Sequence, residues 1–143
     1  MKRIPNMKRW GVILTAICLL AISLIAGCKK SDEAEGKVRD LDFNVVGQSE
    51  IPQELMEIIN QKKAEPFRLT YSSGDALYIA AGYGEQKTGG YSISVPQLYL
   101  TDNSIVIKTE LTGPEKAEQA GPAASYPFIV IRMEMSDKPV VFN

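Results

Sequence analysis

The sequence predicts a mainly β domain with one short helix. Six or seven antiparallel strands would form a sandwich or half-open barrel, Ig-like in style. Three observations predict it. Short apolar segments alternate with period two between Leu41 and Phe142, as half-buried strands do. Turn clusters of Gly, Pro, Asn, Asp and Ser separate them at short spacing, the pattern of an all-β sandwich or barrel. Only Ile51, Leu55, Ile58 and Ile59 repeat at i, i+4, i+7 and i+8, the spacing of a helical stripe.

The elements follow in order. Leu41, Phe43 and Val45 alternate with Asp40, Asp42 and Asn44, giving a first strand that ends at Gly47–Glu50. Pro52 suits a first helical turn, where its missing N–H costs nothing. Lys62 and Lys63 stand where the macrodipole favours cations. The helix therefore runs from Pro52 to Lys63 and covers one face of a sheet. Phe67, Leu69 and Tyr71 begin a second strand, and Ser72–Asp75 turns it. Leu77, Ile79 and Ala81 lie on the third, and Gly82–Gly90 is a loop. Tyr91, Ile93 and Val95 share a face, but beyond Pro96 the apolar positions resume out of phase at Leu98 and Leu100. A one-residue slip turns side chains over, so a bulge or break is expected at Pro96. Asp102-Asn103 turns into Ile105, Ile107, Thr109 and Leu111. Gly113–Ser125 has no usable period. Phe128–Met133 is a continuous apolar run and so a central strand, and Val140–Phe142 closes the fold.

Ahead of this domain, Lys2, Arg3, Lys8 and Arg9 precede an uncharged apolar run from Trp10 to Ala26, which ends Leu24-Ile25-Ala26-Gly27-Cys28. These are the parts of a secretory signal. The small-small-Cys ending resembles the bacterial lipobox. The expected organisation is a signal over 1–27, a tether over 28–37 and a single domain over 38–143. Cys28 would carry lipid and hold the protein at the extracytoplasmic face of a bacterial membrane.

Composition narrows the chemistry. Of 16 basic and 17 acidic residues, four basic ones lie in the signal. That leaves 12 against 17, a formal charge of −5, and a poor match to nucleic acid, which needs a basic footprint. Cys18 falls in the signal and Cys28 takes the lipid, so no disulfide is expected in the domain. There is no histidine, which excludes Ser-His-Asp and Cys-His catalysis and histidine zinc sites. The acidic set Asp32, Glu33, Glu35, Asp40 and Asp42 lacks the glycine and spacing of a calcium loop and reads as solvated tether. No cofactor is expected, and no enzymatic activity.

Two loops remain as candidate partner-binding surfaces. The first holds Gly84, Lys87, Thr88, Gly89, Gly90 and Tyr91. Its glycines open torsions closed to other residues, and tyrosine offers an amphipathic contact. A hairpin whose glycines serve only turn geometry would carry the same residues. The second is the stretch 113–127, long enough to be functional or disordered. It ends at Tyr126-Pro127, an aromatic-proline pair of the kind that admits a cis bond.

From Glu65 onward the chain resembles the C-terminal domain of the protease complex subunit PrcB family. The residues that carry the resemblance are Leu77-Tyr78-Ile79, then Gly84, then Lys87 to Ile93 with Thr88-Gly89-Gly90-Tyr91 at its centre, then Tyr126-Pro127-Phe128-Ile129-Val130. The resemblance implies an accessory subunit that assembles or stabilises a partner protease at the cell surface. Thr88-Gly89-Gly90-Tyr91 is also similar to a loop of chagasin-type cysteine-protease inhibitors, without the Asn-Pro that precedes it there. That similarity implies an inhibitor presenting loops 84–91 and 113–127.

Overall fold

The computed structural model describes residues 36–143. The signal, Cys28 and the tether up to residue 35 lie outside the described residues, as do Asp32, Glu33 and Glu35. The domain is mainly β. Its strands are β1 (Arg39–Asp40), β2 (Asn44–Val45), β3 (Pro66–Ser73), β4 (Ala76–Tyr83), β5 (Ser92–Leu100), β6 (Ile105–Thr112), β7 (Phe128–Glu134) and β8 (Val140–Phe142). Helix α1 spans Gln53–Lys62, and a single turn, α2, spans Ala117–Ala120. One sheet has the order β1-β5-β6-β8 and the other β2-β7-β4-β3. Neither closes into a barrel.

The core has two layers because β4 and β7 present apolar side chains on both faces. Leu77, Ile79, Ile129, Ile131 and Met133 meet Leu98, Ile105 and Ile107 of the other sheet. On the opposite face Ala80, Val130 and Phe67 meet Ile51, Leu55 and Ile59 of the helical segment. The expected helix is therefore present and covers a sheet, with Pro52 as its N-cap rather than inside it. Full burial of Leu55 and Ile59 contributes roughly 1.5–3 kcal/mol each. Tyr71 of β3 donates to Glu54 of α1 at 2.6 Å, a second tie between helix and sheet. That bond to the carboxylate raises the phenol's pKa above its ordinary value.

Several expectations are corrected. The first strand divides in two, which brings the count to eight. β1 pairs with β5, the chain crosses between the sheets, and β2 pairs with β7. Leu41 and Phe43 fill the crossing and pack on the inter-sheet core. The crossing breaks the alternation, so Val45 is 62% exposed and Val46 turns inward toward the helix layer instead. The antiparallel expectation fails at β8, which runs parallel to β6. The segment after β7 changes sheet, and Ile105 donates to Pro139 at 2.9 Å. Both strands thus start at the same end.

Gly82 belongs to β4 rather than to a loop, and the Phe67 ring lies where its Cβ would stand. The Tyr126–Pro127 bond is trans, since no cis peptide occurs among the described residues. The stretch without periodicity holds the single turn α2. The bulge at Pro96 is present: Ser94 pairs with Glu110 and Gln97 with Lys108, one extra residue on β5. β7 is internal to its sheet, as its apolar run requires. Gly74 (φ +60°) opens the two-residue turn joining β3 to β4, as a primed hairpin turn demands.

Gly82→Ala is expected to lower unfolding free energy by about 1–3 kcal/mol, because the added methyl must displace the Phe67 ring. Urea denaturation measures it as a lower midpoint with unchanged slope.

Candidate functional site

The β4–β7 ladder continues past the ends of its strands, and this continuation positions the two loops. Gly82 pairs with Phe128. Tyr83 then donates its N–H to the Pro127 carbonyl at 3.1 Å. Gln86 and Ser125 exchange both backbone bonds, at 2.8 and 3.0 Å. The Ser125 hydroxyl donates to the Thr88 carbonyl at 2.6 Å. The Gln86 amide reaches back to the Tyr83 carbonyl at 3.2 Å. Loops 84–91 and 113–127 are thus fastened to each other as one body.

The glycines serve that fastening. Gly90 has φ +83°, and a Cβ there would strike the Gln119 carbonyl and stand 3.0 Å from Pro114. A Cβ on Gly89 would stand 3.0 Å from the Ala120 carbonyl. Gly113 lies by the Tyr91 ring, and a Cβ there would stand 3.3 Å from its Cε1. The turn α2 therefore rests directly on the Gly89-Gly90 backbone, an approach only glycine permits. Gly84 (φ +75°) is buried against Pro66, where a Cβ would stand 2.9 Å from the Pro66 Cδ. It turns the chain at the base of the loop and offers no surface.

The candidate residues thus separate into two groups. Gly84, Gly89, Gly90 and Tyr91 shape the loop pair. Thr88 and Pro127 contribute their carbonyls to it rather than their side chains. Lys87 and Tyr126 face solvent, Tyr126 at 38% exposure. Tyr126 is held from two sides: its hydroxyl lies 3.5 Å from a Glu85 carboxylate oxygen, and Lys63 stands 5.8 Å over its ring, within reach of a cation–π contact.

The residues that sequence reasoning missed are Gln86 and Ser125. Neither carries a local signal. Their bond joins positions 39 apart in sequence, and only the fold brings them together. Below the loops, the Tyr83 and Thr109 hydroxyls bond at 2.6 Å and tie the two sheets near the same end.

Among the described residues no three of His, Cys, Asp or Glu stand together. No buried side-chain polar atom among them lacks a partner. Asp40, from the acidic set, pairs with Lys37 at 2.8 Å.

Residues 77–134 match the family model described as PrcB C-terminal. The match runs from β4 through β7, includes both loops, and lies inside the 65–143 span of the resemblance. No curated protein and no solved structure matches the chain.

Gly90→Ala and Gly121→Ala both place a side chain at positive φ, but only the first meets another backbone. Gly90→Ala is expected to speed amide exchange at Gln86 and Ser125 together, while Gly121→Ala leaves those amides protected. Hydrogen exchange read by mass spectrometry compares the two.

Proposed function

We propose that this protein is a lipid-anchored, non-enzymatic accessory subunit that binds an extracytoplasmic protease through the fastened loops 84–91 and 113–127. The observation that carries the reading is the Gln86–Ser125 bridge with its Ser125–Thr88 bond. A loop pair already ordered loses less conformational freedom on binding than two free loops. The family match supports the protease as partner, because the PrcB family is an accessory subunit of a protease complex. Tyr126 and Lys87 are the side chains placed to make contact, and tyrosine is a common anchor at the centre of interfaces.

The lipid anchor rests on the Leu24–Cys28 motif. Val38 donates to Leu100 at 2.8 Å, so the chain enters the domain at the far end of β5 from the loops. At roughly 3.3 Å per residue, the nine residues of β5 separate that end from the loop pair by about 30 Å.

A second reading, the chagasin-like inhibitor, is favoured by one observation: the two loops it requires are the two that are fastened together. Inhibition of papain-like proteases by micromolar purified protein would single it out.

Capture of the tagged protein from mildly solubilised native membranes is expected to enrich a protease. A Lys87→Glu, Tyr126→Ala double variant should reduce that enrichment by about ten-fold or more, since lost interface anchors each cost about 2 kcal/mol. Equal enrichment by the folded variant would move the binding surface off these loops. Cys28→Ala is expected to release the protein from the membrane fraction and to abolish labelling by radioactive palmitate. Unchanged membrane association would remove the lipid from the account.

A further inference from the structure

β3 is, among the described residues, the one long strand with a side open along its whole length, since β1 and β8 cover parts of β5 and β6. Among the described residues it pairs only with β4, over all eight of its positions. The other three terminal strands, β1, β2 and β8, are two or three residues long. A regular open edge is a ready template for another strand. Natural edges are usually blunted by short length, bulges, proline or inward charges, and here only Pro66 at the start of the strand and one charge are available. Arg68, on the face toward the other sheet, does not project over the edge. Its guanidinium lies 5.3 Å from the Tyr83 ring and 5.9 Å from that of Phe142, and it donates to the carbonyls of Phe67 and Gly82 at 3.2 and 3.4 Å. The helix-side row is Phe67, Leu69 and Tyr71, with Leu69 and Tyr71 only half-buried.

We infer that β3 pairs antiparallel with β3 of a second copy of this chain, about a two-fold axis through Leu69. The register follows from the side chains. Residues directly opposite share a face, and slipping the register by one residue sets the apolar row of one copy against the polar row of the other. Centring on Leu69 sets Leu69 against Leu69 and Phe67 against Tyr71 on the helix side. On the other face Arg68 meets Thr70. Centring on Arg68 would oppose two guanidinium groups, which is destabilising. Centring on Thr70 would waste Phe67 on Ser73. A two-fold contact of this kind is self-complementary and closed, the commonest symmetry of soluble oligomers.

The result is one continuous eight-stranded sheet with both α1 helices on the same side. A strand pair alone buries less than the roughly 1,000 Å² of a stable interface, so the dimer is reversible and concentration-dependent. It uses none of the loop residues and stands independently of the loop-pair reading.

Disulfide trapping tests it. Arg68→Cys, Leu69→Cys and Thr70→Cys, and the Arg68→Cys/Thr70→Cys double variant, are made in the full-length protein. Whole cells are mildly oxidised and read on non-reducing gels, with the wild type giving the background from Cys18 and Cys28 of any unprocessed chain. On the two-fold, only position 69 faces itself, and position 68 faces position 70 of the second copy. Disulfides need Cα atoms within about 7 Å, so dimer yield is expected to be about ten-fold higher for Leu69→Cys and for the double variant than for either single change at 68 or 70. The double variant keeps the test valid if Leu69→Cys folds poorly, because Arg68 and Thr70 are exposed. Equal yields along the walk, no dimer in either key variant, or a cross-link from position 69 to a different protein would each overturn the inference.

Discussion

β4 and β7 are covered on both faces, and the rest of the domain is arranged to cover them. Strands buried on both faces cannot follow the in–out alternation of a surface sheet. Ile79 and Ile131 need the second sheet, while Ala80 and Val130 need the helix. Neither cover suffices alone. The small residues Ala80 and Gly82 let Phe67 and the α1 stripe close on one side. The chain crossing at Leu41–Phe43 then seals a flank of the inter-sheet core. A domain without a disulfide among its described residues depends on this packing.

The same ladder explains the loops. They are not appended to the fold. They extend its central strand pair by a further rung at Gln86 and Ser125, and Tyr83 ties the rung's base to the other sheet through Thr109. Sites carried on rigid elements hold their geometry better than sites on free loops. The glycines of Thr88-Gly89-Gly90-Tyr91 fit this picture: they let α2 rest on the backbone, and so hold the surface in shape.

The fold was legible where a local pattern decided it. The α1 stripe, the slip at Pro96, the apolar run of β7 and the turn at Gly74 each follow from nearby residues. Misreadings came where distant parts of the chain decide. Val45 keeps the alternation of Leu41 and Phe43 in sequence, but a change of sheet breaks it. Gly82 looks like the start of a glycine loop, yet the Phe67 ring across the sheet makes it a strand residue. β8 runs parallel because of where Pro139 meets Ile105, which no periodicity encodes. At the site, both loops were visible from their glycines and length. Their union was not, because the Gln86–Ser125 rung has no local signature.

The central claim is that loops 84–91 and 113–127 form one surface that engages a partner as a unit. Hydrogen exchange across the domain, measured with and without a protease captured with the tagged protein, tests this most directly. The account requires amides of both loops to gain protection together, while the α1 and β3 amides stay unchanged. Protection confined to one loop, or appearing only on the far end of the domain near Leu100 and Ile105, would contradict it.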